Sequence, residues 1–376
     1  MASIKSESTS SPSVEKQPSS KFVELPTEPD KFSFLKSKNK SKPTNVVKTN
    51  SAFVSKIVAN EQIAKIISQK NEAFYLFFNS GRAIVWVDYL WKLQAPLSVL
   101  YLKDAFITCH DVNLVTRDTM NSVVGHTTGD ILCFWPISGK YIRLNRGGII
   151  HKCAVTYIKW IPGSENLFIA GFDDGSMMIF DKDMEDQNYP IPACNEEYLI
   201  RPAPKGSKSN PRIYWKVSKK SISCIAFSPD MVHFAVTSMD GTLKIFNLQT
   251  EKLLDVYRSF FGGFTCVTWS PDGRYIVAGS QDDLMTFDEW KCTEKYFRFA
   301  SVGEDTRILF WDFSSSMFQR KQVSRAKSYT EMVRNDEVNY HNTPPKAVVP
   351  IIEPVAVLFI NLGEIDWERS IEQYTV

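Results

Sequence analysis

ISCIAFSPD at residues 222–230 and TSMDGTLKIFN at residues 237–247 decide the reading of this chain. The first segment alternates apolar and small or polar residues, the period of a half-buried strand. Ser228-Pro229-Asp230 then closes it, because Pro presets φ and Asp completes a tight turn. In the second segment a short run meets Met239-Asp240-Gly241, and a further strand follows, ending near the aromatic Phe246. Strand, turn, strand, turn, strand is therefore written within about 26 residues.

Working outward, the same two elements recur. The first returns as CAVTYIKWIPG at 153–163 and TCVTWSPDG at 265–273. The second returns as VGHTTGDILCFW at 124–135, AGFDDGSMMIFD at 170–181 and ASVGEDTRILFWD at 300–312, with a degenerate early copy, FNSGRAIVWVD, at 78–88. Gly129 to Gly175 is 46 residues and Gly241 to Asp283 is 42, both near the ~40–45 residue period of four-stranded blades. Gly175 to Gly241 is 66 residues, which places a polar insertion at 182–212. A single sheet of this kind cannot hide two apolar faces, whereas sheets stacked around an axis can. The expected fold is all-β, a WD40-type β-propeller. Asp174, Asp240, Asp283 and Asp305 fall at the turns between its strands, where a carboxylate accepts backbone N–H groups.

The remaining composition bounds the class. The chain has 376 residues, 43% of them hydrophobic, and a formal net charge of +2. That is enough for a large core, and it argues against a dedicated nucleic-acid or membrane-surface binder. Residues 1–50 hold eleven Ser and nine Lys against five acidic residues, a net charge of +4, with few large apolar groups. Such a stretch is expected to be a disordered tail, a solvated segment or one that docks when phosphorylated. No signal peptide opens the chain and no run of 18 apolar residues interrupts it, so a cytoplasmic protein with access to the nucleus, and no membrane partner, is expected. Seven Cys are scattered with no two closer than twenty residues, a pattern of buried thiols in a reducing compartment.

No catalytic or cofactor motif emerges. His110, His126, His151, His233 and His341 are the five histidines, and Cys109 and His110 are adjacent, so on a strand they face opposite ways. Gly139-Lys140 lacks the spacing of a phosphate-binding loop. The pairs Asp173-Asp174 and Asp282-Asp283 read as turn caps before they read as metal or acid–base groups. Lys205, Lys208, Lys216, Lys219 and Lys220, with Arg201 and Arg212, form a basic stretch that reads as a solvated loop before it reads as a nucleic-acid patch. No enzyme, no cofactor and no metal is the expectation. The loop running from Arg258 through Phe260, Phe261 and Gly262-Gly263 to Phe264 is the candidate partner contact, since aromatics and Arg dominate interface hot spots and the Gly pair permits a tight turn.

Five stretches carry a family resemblance: TCHDVN at 108–113, VTYIKWIPG at 155–163, FGG at 261–263, CVTWSPDGRYIVAGSQDD at 266–283 and RFASVGEDTRILFWDF at 298–313. Over residues 50–356 the chain resembles the fungal catabolite-repression WD-repeat proteins of the CreC type and their animal relatives, WD-repeat protein twenty and the dystrophia-myotonica WD-repeat protein. The resemblance implies a seven-bladed propeller that binds a ubiquitin-specific protease and activates or stabilises it, in fungi within carbon catabolite repression, with a second WD-repeat protein as a further partner. It also weights Phe261 as the contact. A generic WD-repeat adaptor, such as a ubiquitin-ligase substrate receptor, is the alternative. Two departures stand out. Asp283 to Thr306 is only 23 residues, about half a blade short of the family pattern, and after Pro354-Val355-Ala356-Val357 the family's last Trp-containing strand is replaced. About six blades are therefore expected. The division that follows is a tail at 1–50, the propeller at 51–313, a polar linker at 314–347 and a divergent segment at 348–376.

Overall fold

The computed structural model describes residues 44–48, 53–60, 63, 67, 75–88, 96–116, 119–191, 198–204, 206–259, 262–281, 285–289, 296–302, 307–314, 339–341 and 356–359. Among these the chain is an all-β propeller built from six radial sheets, here called blades, and a two-stranded side ribbon. Blade 1 holds β1 (Thr44–Lys48), β2 (Val54–Asn60), β3 (Tyr75–Ser80), β4 (Ala83–Asp88) and β5 (Ser98–Leu102), in the order β1-β2-β5-β4-β3. Blade 2 is the simple meander β6 (Ile107–Thr116), β7 (Thr119–His126), β8 (Ile131–Trp135) and β9 (Lys140–Leu144).

Blade 3 begins with β10 (Val155–Trp160), β11 (Leu167–Phe172) and β12 (Ser176–Asp181). The insertion then supplies β13 (Glu185–Asp186), β14 (Leu199–Pro202) and β15 (Ser209–Asn210), and β16 (Ile213–Lys216) pairs with both β12 and β14. Blade 4 is β17 (Ile222–Phe227), β18 (His233–Ser238), β19 (Thr242–Asn247) and β20 (Leu253–Arg258). Blade 5 is β21 (Phe264–Trp269), β22 (Tyr275–Ser280) and β23 (Met285–Glu289). Blade 6 starts with β24 (Tyr296–Val302) and β25 (Arg307–Ser314). Then β26 (Asn339–His341) adds in parallel to β20 of blade 4, and β27 (Ala356–Phe359) completes blade 6 beside β25.

The alternation read from the sequence becomes the packing. In blade 3, Phe168, Ala170, Phe172 and Phe180 join the core shared with blade 2. Their intervening neighbours Ile169, Met177 and Ile179 join the core shared with blade 4. Blade 4 repeats the arrangement, giving Phe234, Val236 and Phe246 to blade 3 and Ala235, Leu243 and Ile245 to blade 5. Blades 3 and 4 are thus each buried on both faces by different neighbours, as radial stacking requires. In three of the repeats the terminal aromatic has an aromatic partner across the strand pair. Phe168–Phe180, Phe234–Phe246 and Phe77–Trp86 stack at centroid separations of 5.6, 5.0 and 5.3 Å, geometry that adds to simple area burial.

Five strands, β2, β6, β10, β17 and β21, share one irregularity. The pairing skips a residue after Val54, Ile107, Val155, Ile222 and Phe264. The skipped residues are Ser55, Thr108, Thr156, Ser223 and Thr265, each carrying a hydroxyl. A bulge bends the strand and raises its twist. At Thr156 the hydroxyl spans the blade boundary, donating to Ile222 O at 2.7 Å.

Four expected boundaries shift. β1 lies inside the stretch read as a tail, and residues 1–43 lie outside the described residues. The insertion at 182–212 is more than a polar loop, because β14 pairs with β16 and β15 pairs with β13. β26 falls in the expected linker and β27 in the expected divergent segment. All are short segments: β26 and β27 pair with strands far along the chain, a relation that local periodicity does not carry, while β1 and β14, of five and four residues, are too short for a period to mark them. Ile63 and Ile67 adopt helical conformation, four residues apart, and are buried with Trp86, Leu97 and Met120.

Candidate partner-binding face

β20 ends at the exposed Arg258, and the loop that follows is fixed from two sides. Ser259 N donates to Gly241 O at 2.9 Å, and Ser259 Oγ donates to Gly262 O at 2.6 Å. Gly263 N donates to Gln281 Oε1 at 3.0 Å, while Gln281 N donates to Gly263 O at 2.9 Å. Gly262 has φ +80°, the left-handed region that favours glycine, and a Cβ on Gly263 would meet Met239 Cα at 2.7 Å. The loop's described ends, Ser259 and Gly262-Gly263, are therefore held by the Met239–Gly241 turn of blade 4 and Gln281 of blade 5.

Of the four candidate contacts, Arg258 is exposed at the base of this loop. Phe264 is fully buried, packed with Cys224, Ala235, Val267 and Ile276 between blades 4 and 5. It begins β21 as a core residue, which corrects its reading as a contact: the third aromatic of the run plugs the blade boundary. Phe260 and Phe261 lie outside the described residues.

The turn carboxylates are held by dense local networks. Asp174 Oδ1 accepts from Ser176 N at 2.9 Å and from Ser176 Oγ at 2.6 Å. Asp240 Oδ1 accepts from Thr242 N at 2.9 Å and Thr242 Oγ1 at 2.6 Å, and its Oδ2 accepts from Ser218 Oγ at 2.6 Å. Burial opposes ionisation of both carboxyls. Hydrogen bonds from His151 and Ser176 overcome it at Asp174, and those from Ser218 and Thr242, with the Lys244 charge, overcome it at Asp240, so both sit below the ordinary carboxylate range. Asp283 and Asp305 lie outside the described residues.

His151, Ser176 and Asp174 are together, yet the arrangement is not a nucleophile and its base. The same ring nitrogen, His151 Nε2, lies 3.1 Å from Ser176 Oγ and 3.2 Å from Asp174 Oδ2. Catalysis needs the hydroxyl on one ring nitrogen and the carboxylate on the other. Here Ser176 gives its proton to Asp174, and Ser176 is fully buried. Cys153 completes a trio of donor atoms with His151 and Asp174, all within 4.8 Å of one another. The Lys216 ammonium, 3.4 Å from Asp174 Oδ2, already supplies a cation there, and burial pushes the Cys153 thiol up, away from the thiolate a metal prefers. The constellation is a lock between a turn and a loop.

One residue of that lock escaped the sequence reading. Asn145 is fully buried at φ +49°, and its side chain organises the loop that delivers His151. Its Nδ2 donates to Gly129 O at 2.8 Å and His151 O at 2.6 Å, and its Oδ1 accepts from Ile150 N at 2.8 Å and His151 N at 3.0 Å. Asn tolerates the left-handed region better than most residues, and the only local signal is the Asn-Arg-Gly-Gly run at 145–148.

Sheets, bulges and turn networks together define a WD-repeat β-propeller. The family model of the WD domain, G-beta repeat, matches residues 212–247 and 252–287, which run from β16 of blade 3 through β19 of blade 4 and from β20 into blade 5. The chain is similar to the UBP9-binding protein bun62 of Schizosaccharomyces pombe (strain 972 / ATCC 24843), at 28% identity over 374 residues, covering 81% of this chain and 69% of that protein. Among solved structures, the crystal structure of the computationally designed Ika4 protein aligns with a TM-score of 0.34 and 15% identity, over 50% of this chain and 94% of that one. A likeness of that level bears on neither fold nor function.

Proposed function

We propose that this chain is a non-catalytic WD-repeat scaffold that binds a ubiquitin-specific protease through its propeller loops. The observation that carries the reading is the similarity, over 81% of the chain, to a protein named for binding UBP9. The buried Ser176 and the inward lock at His151 fit a framework better than a reaction centre. Binding activates or stabilises the protease by favouring its competent conformation, which requires tighter binding to that state than to the other. The setting is carbon catabolite repression, with a second WD-repeat protein in the same assembly, in the cytoplasm with access to the nucleus. Affinity capture of the full chain tests the reading. It is expected to recover a deubiquitinase whose cleavage of a fluorogenic ubiquitin substrate rises when the purified chain is added. Recovery of a ubiquitin-ligase core in its place would overturn it. The contact assigned to Phe261 is tested separately: Phe261→Ala is expected to abolish stimulation while leaving the fold intact.

A further inference from the structure

Blade 4 carries a fifth strand that comes from outside its own meander. β17 to β20 already form the four-stranded unit that β6 to β9 form in blade 2. β26 then adds in parallel to the outer edge of β20, with Asn339 opposite Asp255, Tyr340 opposite Val256 and His341 opposite Tyr257. Its neighbours in the chain, β25 and β27, pair with each other in blade 6. The chain thus leaves blade 6, lays three residues along blade 4 and returns to blade 6. Blade 3 shows the contrast. Its β16 is covered by β14, antiparallel over four pairs, and only ten residues separate those two strands.

Three observations make β26 the removable member of its sheet. Its pairing is parallel, the slightly weaker arrangement per residue, and it is three residues long. It is joined to blade 6 by 24 residues on one side and 14 on the other, so its effective concentration at the edge is finite and a partner strand can exceed it. And β20 is held without it. β19 pairs with β20 from Arg258 to Leu253, and Leu253 and Val256 are buried in the core shared with blade 3. What a strand gains on this edge is main-chain hydrogen bonding, which any extended segment offers.

We propose that the outer edge of β20 is a strand-addition site for an extended segment of a protein partner, and that β26 is its resident occupant, displaced when the partner binds. Recognition runs through backbone N–H and C=O groups, so the partner segment lies parallel to β20 and is free of Pro over at least three consecutive residues. In this register the added strand points toward Arg258 and Ser259, where the candidate loop begins. One partner therefore engages the edge and the loop together. The site deepens the scaffold reading and rests on it only for the partner's identity.

The test uses the full chain, with a labelled peptide of its residues 335–343, NDEVNYHNT, as the probe strand. A control peptide carries Tyr340→Pro and His341→Pro, which remove a pairing N–H whichever of the two alternating rows faces the edge. The same two substitutions in the chain detach β26. In fluorescence anisotropy the detached variant is expected to bind the probe saturably, at least tenfold more tightly than the unaltered chain does. The control peptide is expected to bind it at least tenfold more weakly than the probe. Hydrogen exchange locates the site: amides in 253–258 are expected to exchange at least tenfold faster in the detached variant and to regain protection with the probe. No probe binding by the variant, equal binding of the two peptides, or equal affinity of the two chains overturns the proposal. So does a detached variant that no longer folds, since β26 would then be part of the blade. A dimer of the unaltered chain in sedimentation, lost in the detached variant, would give the edge to a second copy's β26 and overturn the partner as occupant. No step uses the protease, so failure of this proposal is distinguishable from failure of the scaffold reading.

Discussion

The carboxylate of Asp111 accepts the backbone N–H of Trp160 at 2.8 Å, a bond that runs from β6 of blade 2 to β10 of blade 3. Its other oxygen takes the Lys159 ammonium at 3.0 Å. The preceding residue reaches the opposite way: His110 Nδ1 lies 3.1 Å from Asn79 Oδ1 on blade 1. Two adjacent residues on one strand thus hold the blades on either side. Adjacent residues on a strand face opposite ways, and that is what makes this stitch work.

Asp111→Ala leaves the Trp160 N–H without its acceptor in a buried setting. The expected loss is roughly 2–3 kcal/mol, the range for a buried bond to a charged group. Asp111→Asn keeps an acceptor and is expected to lose less. Urea unfolding of the three proteins checks the order; equal midpoints for wild type and Asp111→Ala would show that the bond carries no stability.

Gly171 sets the distance between blades 3 and 4. A Cβ there would lie 2.7 Å from Ile222 Cγ2, at the first residue of the next blade's inner strand. Its backbone angle is ordinary, so the constraint is space alone. Gly125 repeats it one blade earlier, where a Cβ would meet Val155 Cγ1 at 2.6 Å. Gly171→Ala is expected to destabilise by about 1–3 kcal/mol through overpacking. Combining it with Ile222→Ala, which removes the opposing Cγ2 and Cγ1, should cost less than the sum of the two single variants. Strict additivity would mean that the neighbour relaxes freely.

The repeats were legible because their signals are local. The Ser-Pro-Asp turns and the aromatic strand ends each sit within one blade and became turns and stacked pairs, and the 46-residue spacing from Gly129 to Gly175 became the step from blade 2 to blade 3. The hydroxyl at 55, 108, 156, 223 and 265 was equally visible, but its meaning as a bulge needs the register of the partner strand. The pairings of β26 and β27 were not legible, because their partners lie far along the chain, and Asn145 was not, because its role depends on the loop conformation that brings Gly129 and His151 to its side chain. Phe264 shows the same limit at the candidate face: composition marks an aromatic loop, and only packing shows which ring faces inward.

Stability should fall on mild acidification because of His126. This residue is fully buried, with its ring set edge-on to Phe53 at 5.1 Å. Burial is the main cause holding its pKa down, to about 4; the Asp130 charge opposes the shift and Arg143 reinforces it. In the unfolded chain the ring takes up its proton near pH 6.5. Between about 6.5 and 4 the unfolded state therefore binds more protons, and stability decreases as pH falls through that window. Over the whole window the contribution is on the order of 3 kcal/mol. Thermal midpoints between pH 7 and 4.5 should drop for the wild type and drop less for His126→Phe, which keeps the ring and removes the titration. Parallel pH profiles would assign the acid sensitivity elsewhere.

Thiol reactivity should divide by burial. Cys109, Cys133 and Cys224 are buried, and desolvation pushes each thiol up, Cys109 to about 12. At pH 8 the thiolate fraction of Cys109 is then about one part in ten thousand, and the thiolate is the reacting form. Cys266 is exposed on β21 of blade 5. Brief treatment of the native chain with a maleimide, followed by peptide mapping, should label Cys266 and leave the three buried thiols unmodified until denaturant is added. Labelling of Cys109 at a rate comparable to Cys266 would mean that blades 2 and 3 part readily, contrary to the bonds that Asp111 makes between them.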